Sequence, residues 1–332
     1  MHNQLDILCK TFIKNRDLVK STFKWDSNYM FPVCSSIFIG KRISPNKENL
    51  IKCHQILKEN IGIFSSFNST LKPVIVSKLC ASTEPEIMLK QAIQIHDMLK
   101  KEFKSSEYLV LSSMMLTDLS LSTQEYTHII CKAKEIYNLS KASHPLLTSS
   151  EDIPFCILAA LSNNTPKDTS SHAEECYVLL KPYFSSANAV QSLAHVLSLY
   201  NDSSVNKVDK VIKLYDNLKA EGYKYGKGYE LASLGILAML PIEVDTLISQ
   251  LTYVDKFLGT QKGYGLFGFS KCNKLMHGSM LLCSHYLDNS IASNLDMAIT
   301  SSLLSLIIAE QSAIMVSCIT ASAAASNAST NS

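Results

Sequence analysis

The 332-residue chain has little of what usually punctuates or decorates a fold: one tryptophan, nine prolines, eleven glycines and only 18% charged side chains. It also lacks a dominant charge, since 31 lysines and arginines nearly balance 29 aspartates and glutamates for a formal net charge of +2. A protein dedicated to nucleic acid carries a basic excess or stripe, so no nucleic-acid partner is expected. Alternating β-branched patterns are almost missing, which argues against a sheet. What the chain does have is apolar residues, 46% of the total. That fraction is too high for a disordered chain, and the length allows two ordinary domains or one elongated repeat domain.

Catalytic signatures are missing too: there is no G-x-S-x-G elbow, H-E-x-x-H pair or P-loop. The ten cysteines lie at least eleven residues apart, which excludes CxxC redox pairs and zinc-ribbon spacings. Most sit in apolar runs such as Phe155-Cys156-Ile157 and Leu282-Cys283, where cysteine acts as a small buried hydrophobe. A reducing cytoplasm is the simple reading. Cys272, His277, Cys283 and His285 form the densest metal-capable set, but on one continuous helix His277 and Cys283 point to different sides. No metal and no cofactor are expected. Gly263, Gly265 and Gly268 spell G-x-G-x-x-G, with Asp288 twenty residues beyond. A predicted helix, Ile242 to Leu258, stands where a dinucleotide site needs a strand, and no βαβ unit follows, so a Rossmann site is excluded.

The first twenty residues mix charges with apolar side chains and do not read as a secretory signal; a capping helix over about 1–20 is predicted. Ala298 to Ala325 is apolar, small and long enough to span a bilayer. Glu310 near its middle is costly in lipid, and no lysine or arginine follows Lys274 to anchor it. A buried Ala/Ser-rich helix over about 295–325 is therefore favoured over a membrane span.

Apolar spacing is helical nearly throughout, as in Val208, Val211, Ile212, Tyr215 and Leu218. A short, very apolar helix recurs, followed by a polar turn and a longer amphipathic helix. The short helices are predicted to end near Ile39, Leu79, Leu116, Leu161, Leu199, Leu240 and Leu287, at spacings of 37 to 47 residues. Anchors of the longer helices, Leu57, Leu99, Tyr137, Leu180, Leu218 and Leu258, recur at 38 to 43. The turns supply caps or helix starters: Ser82-Thr83-Glu84-Pro85, Ser122-Thr123-Gln124, Thr169-Ser170-Ser171, Asp202-Ser203-Ser204 and Pro241. Two series with one mean step predict an all-α chain of stacked helical hairpins of about forty residues, one helical-repeat domain over 1–332. The spacing leaves open an α-solenoid or a closed α/α ring.

Nine of the eleven glycines fall between Gly222 and Gly278. Most of them lie in two loops, 221–230 and 261–271, each following the longer helix of a hairpin and preceding the next short one. In the repeat register the loops are equivalent, so they are expected side by side on one edge. Glycine permits close backbone approach, and a helix N-terminus follows each loop. The candidate ligand-binding residues are Lys224, Tyr225, Gly226, Lys227, Gly228, Tyr229, Lys262, Gly263, Tyr264, Gly265, Gly268 and Lys271. Glycines that merely turn between helices, with tyrosines packed over them, explain the same inventory. Glu230, Glu243 and Asp255 flank this edge and could act as acid or base, though nothing selects them.

The stretches Leu57-Lys-Glu-Asn-Ile-Gly-Ile-Phe-Ser-Ser-Phe67, Glu221-Gly-Tyr-Lys-Tyr-Gly-Lys-Gly-Tyr-Glu-Leu231 and Gln261-Lys-Gly-Tyr-Gly-Leu-Phe-Gly268 resemble a bacterial domain-of-unknown-function family, number four thousand and three. The resemblance covers nearly the whole chain. It implies a soluble bacterial protein, mainly from Gram-positive species, with no assigned activity or catalytic residues. It also places the loop Gly62 to Phe67 on the same edge in the repeat register.

The leading expectation is a cytoplasmic helical-repeat protein that binds a small anionic ligand or a peptide at the Gly/Tyr/Lys loop edge. The alternative is an α/α-ring enzyme with acid/base residues at the loop end. A third is membrane attachment or self-association through the C-terminal helix.

Overall fold

The computed structural model describes residues 2–286, apart from residues 25, 27, 63–64, 225–227, 229, 241 and 265–267. Among the described residues there are fourteen α-helices, two short 3₁₀ turns and no strand. The described residues divide into two compact units, one of Lys10–Tyr126 and one of residues 2–9 with 127–286. None of the described helices is long and apolar enough to cross a membrane.

The first unit contains most of α1 (His2–Thr22), then α2 (Met30–Gly40), α3 (Lys47–Asn60), α4 (Lys72–Cys80), α5 (Pro85–Glu102) and α6 (Glu107–Leu116). Within it α4 packs on α2, α3 and α5, while α5 also packs on α3 and α6. The second unit contains most of α7 (Thr123–Ser143), then α8 (Ile153–Ala160), α9 (Pro166–Leu180), α10 (Ala187–Ser198), α11 (Ser204–Ala220), α12 (Glu230–Ala238), α13 (Val244–Gly259) and α14 (Lys271–Tyr286). Here α10 packs on α8, α9, α11 and α12; α11 also packs on α9, α12 and α13; and α14 packs on α12 and α13.

Sequence dictates two kinds of helix. The even-numbered ones from α2 to α12 are short, mostly apolar and buried on most sides: all eight residues of α8 are buried, as are ten of the twelve in α10. Each fully buried leucine or isoleucine contributes roughly 1.5–3 kcal/mol. The odd-numbered ones carry a single apolar stripe. On α11, Val208, Val211, Leu214 and Leu218 face inward while Lys210, Lys213 and Lys219 are exposed.

Helix ends follow from local chemistry. Proline stands in the first turn of α4, α5, α8 and α9, where its missing N–H costs nothing. Asn46, Thr165, Ser186 and Ser203 accept backbone N–H groups at the starts of α3, α9, α10 and α11. Beyond α8 the carbonyl of Ser162 accepts from Lys132 Nζ at 2.6 Å, and beyond α10 that of Tyr200 accepts from Lys207 Nζ at 3.1 Å. Both ammoniums meet the negative end of a helix dipole, which gives the fully buried Lys207 a partner. In the first unit the buried Asp118 carboxylate takes Lys41 at 3.1 Å and Lys78 at 2.6 Å, joining residues 77 and 40 positions apart.

The short helices end within two residues of the predicted Ile39, Leu79, Leu116, Leu161, Leu199 and Leu240; Leu287 lies outside the described residues, as does the helix expected over about 295–325. A helix, α1, occupies the stretch about 1–20 where a capping helix is expected. Leu57, Leu99, Leu180, Leu218 and Leu258 are buried anchors. Tyr137 is not: it is half-buried, and its neighbour Ile136 takes the core position. The phenol stays at the solvent edge, with Lys134 Nζ 5.4 Å from the ring centroid. The start predicted at Thr169-Ser170-Ser171 is also corrected. Thr165 and Pro166 begin α9 earlier, and Thr169 lies buried inside it.

Candidate functional site

The two glycine-rich loops connect α11 to α12 and α13 to α14. Because α11 packs on α13 and α12 on α14, they join adjoining helix pairs. Of the predicted site residues, Lys224, Gly228, Lys262, Gly263, Tyr264, Gly268 and Lys271 are described; Tyr225, Gly226, Lys227, Tyr229 and Gly265 lie outside the described residues. Lys224, Lys262 and Lys271 are exposed and form no ion pair with any described residue. Tyr264 points the other way. It is 6% exposed, its hydroxyl meets His277 Nδ1 at 2.8 Å, and its ring packs against Phe269 and His277. The loop Gly62 to Phe67 joins α3 to α4 in the other unit.

Backbone geometry accounts for the glycines locally. Gly222 has φ +86°; its N–H donates to Lys219 O at 3.0 Å, and Tyr223 N donates to Leu218 O at 2.9 Å. This double closure ends a helix through a left-handed residue, which glycine adopts without steric cost. At Gly268 a Cβ would stand 1.9 Å from the carbonyl oxygen of Gly263, so only glycine fits where Phe269 N donates to that oxygen at 2.7 Å.

The helix N-termini beyond these loops are occupied by their own chain. Glu230, 1% exposed, accepts from Gly228 N at 3.2 Å, putting a carboxylate at the positive end of α12. At α14, Ser270 Oγ accepts from Asn273 N at 3.1 Å. Of the flanking acids, Asp255 pairs with Lys274 at 3.1 Å and Glu243 is the N-cap residue of α13.

A second cluster in the same unit was not anticipated from sequence. A pocket of about 10 Å³, room for one water molecule, opens between α7, α9 and α10. Its polar lining includes Ser140, His144, Glu174, Tyr177, Gln191 and His195. His144 Nε2 and Glu174 Oε2 are 2.6 Å apart, and the His144 ring lies 4.3 Å from that of Tyr177. Gln191 donates to Thr148 Oγ1 at 2.9 Å, which donates to Ser140 O at 3.1 Å. Behind them, His195 Nε2 stands 3.7 Å from Asp152 Oδ1 and makes no hydrogen bond within the described structure. Burial pushes the Asp152 carboxyl up to about 7, against the lowering effect of the Ser149 N–H it accepts. Burial, aided by His144, lowers His195 to about 4. At neutral pH the pair is an imidazole beside a half-protonated carboxyl. The cluster's hydrogen bonds link residues 30 and 43 positions apart, so no local pattern in the sequence announces it. Among the described residues no three His, Cys, Asp or Glu side chains are grouped to hold a metal ion.

The fold thus defines an all-helical protein in which short buried helices alternate with longer amphipathic ones, carrying a lysine-bearing loop pair and a buried acid–base cluster. The chain belongs to the family described as Protein of unknown function (DUF4003), whose profile matches residues 15–313. It is similar to the "Uncharacterized protein YeaA" of Bacillus subtilis (strain 168), with 24% identity over 230 residues, 67% of this chain and 69% of that one. No solved structure matches the chain.

Proposed function

We propose that the chain is a helical-repeat binding protein whose loop edge engages an acidic peptide segment. The stacked-hairpin reading is supported by packing of helices on the second one along from α8 to α14, α9 on α11 on α13 and α8 on α10 on α12 on α14. One observation carries the binding reading: Lys224, Lys262 and Lys271 are exposed and pair with no carboxylate among the described residues, on connections or at the first residue of adjoining helix pairs. Glu230 and Ser270 already fill the helix N-termini, which favours several carboxylates meeting the lysines over one small phosphate seated on a helix end. A cytoplasmic location fits the nine described cysteines, none of which forms a disulfide, including the exposed Cys131.

The test is fluorescence anisotropy with a labelled glutamate-rich peptide, with inorganic phosphate as competitor. The triple variant K224E/K262E/K271E should bind about tenfold or more weakly, and salt should weaken the wild type. Equal binding by the triple variant refutes the reading. The enzyme alternative is favoured by the Asp152–His195 pair beside a polar pocket; turnover abolished by D152N, with peptide binding intact, would select it.

A further inference from the structure

The hairpin α3–α4 contains two thiols that the binding reading does not use. Cys53 lies seven residues before the end of α3 and Cys80 eight residues after the start of α4. At the helical rise these are heights of about 10 and 12 Å from the ends of the connecting segment, so the two cysteines lie at similar levels on consecutive helices. The helices do pack on one another, and each of the two thiols is the other's main side-chain neighbour. Both are free; Cys53 is 4% exposed and Cys80 half-buried, so a small oxidant can approach from the Cys80 side.

We propose that Cys53 and Cys80 are an oxidation site, converted by a peroxide into a disulfide that ties α3 to α4. The roles are unequal. The adjoining Cys80 thiol, with help from Lys52, holds the Cys53 thiol below its usual range against the effect of burial. The same neighbour and desolvation push Cys80 up. Cys53 is thus the thiolate nucleophile and Cys80 the resolving thiol. The Cys53 thiolate attacks one peroxide oxygen, breaking the O–O bond and giving a sulfenic acid and hydroxide. The Cys80 sulfur then attacks the Cys53 sulfur, expelling its hydroxyl as water as the Cys80 proton leaves. The sum is two thiols and one hydrogen peroxide giving one disulfide and two waters; sulfur is oxidised and the peroxide oxygens are reduced. Cys131, exposed and on another helix, is the internal comparator.

The full chain is treated with equimolar hydrogen peroxide, alkylated, digested and mapped by mass spectrometry, with thiols counted after denaturation. The expected result is a dithiothreitol-reversible peptide linking Cys53 to Cys80, with the thiol count falling from ten to eight. In Cys80→Ser, dimedone should label Cys53 about tenfold faster than Cys131. Should that variant fail to fold, mapping of the wild type still decides. The proposal is overturned if no Cys53–Cys80 peptide forms, if Cys131 is oxidised first, or if the same link forms equally fast in urea.

Discussion

The buried pair Asp152 and His195 makes a quantitative demand on stability. Both side chains are nearly sealed, 5% and 8% exposed, and 3.7 Å apart. Asp152 has a folded value of about 7 against an ordinary 3.8. Its folded state holds a proton that the unfolded chain releases, so its contribution is full below pH 3.8 and is lost as pH rises towards 7. His195, at about 4 against 6.5, does the reverse: its contribution is full above 6.5 and is lost as pH falls towards 4. Each pH unit of unequal protonation is worth 1.36 kcal/mol. Across pH 4 to 6.5 the two slopes oppose each other, each amounting to about 3 kcal/mol, and the wild type conceals both.

Single substitutions should expose them. In Asp152→Asn the carboxyl's downward slope disappears, so stability relative to wild type should rise by about 3–4 kcal/mol between pH 4 and 7. In His195→Gln the upward slope disappears, so relative stability should fall by about 3 kcal/mol between pH 4 and 6.5. Urea unfolding followed by circular dichroism at half-unit pH steps measures both, and referencing each variant to wild type cancels the other titrating groups. If either difference stays within about 0.5 kcal/mol across the range, burial of that group is not what sets its protonation, and the reasoning fails. Two differences of the same sign would refute it as well.

Three further outcomes follow from local geometry. Gly235→Ala places a Cβ 2.4 Å from Leu193 Cδ1 and 3.4 Å from Val196 Cγ1 on α10; overpacking should lower stability by about 1–3 kcal/mol, whereas Gly62→Ala, with open space around it, should cost nothing measurable by urea unfolding. Arg42 occupies the left-handed position after α2 at φ 54°, with Ile43 N closing on Phe38 O at 2.9 Å; Arg42→Gly should raise the denaturation midpoint, a gain of about 0.5–1 kcal/mol. Asp118→Asn leaves Lys78, only 10% exposed, without its carboxylate, and should cost about 3 kcal/mol, read as a fall in Tm that Lys41→Met, at the 37% exposed partner, reproduces only weakly.

Much of the helical order was legible because two periodicities coincide. Runs such as Ile153–Ala160 are apolar on every side, and stripes such as that of α11 are apolar on one; a chain that alternates them declares where each helix must lie. Where a polar residue had two roles the sequence misled. Thr169 looks like a cap but is a buried methyl and hydroxyl one turn into α9, because Thr165 and Pro166 form a stronger start. Tyr137 matches the anchor spacing, yet its hydroxyl keeps it at the edge while Ile136 fills the core. The acid–base cluster was invisible for a different reason. Asp152 and His195 acquire their chemistry from desolvation, which is a property of the assembled unit and not of either residue's neighbours in sequence.

The glycine concentration carries the same lesson in the opposite direction. It stood out in the sequence and pointed to a loop edge that holds a small anion or a peptide, but Gly222 closes a helix, Gly268 clears a carbonyl, and the helix ends beyond them are satisfied by Glu230 and Ser270. Tyr264 is spent on the core beside His277. Subtracting what the fold requires leaves Lys224, Lys262 and Lys271, three exposed cations that no described carboxylate neutralises and no packing explains. Charge that contributes nothing to the fold is what a binding surface needs, since it meets a partner without first breaking an internal pair. The lysines, and not the glycines between them, are therefore the residues whose removal should separate binding from stability.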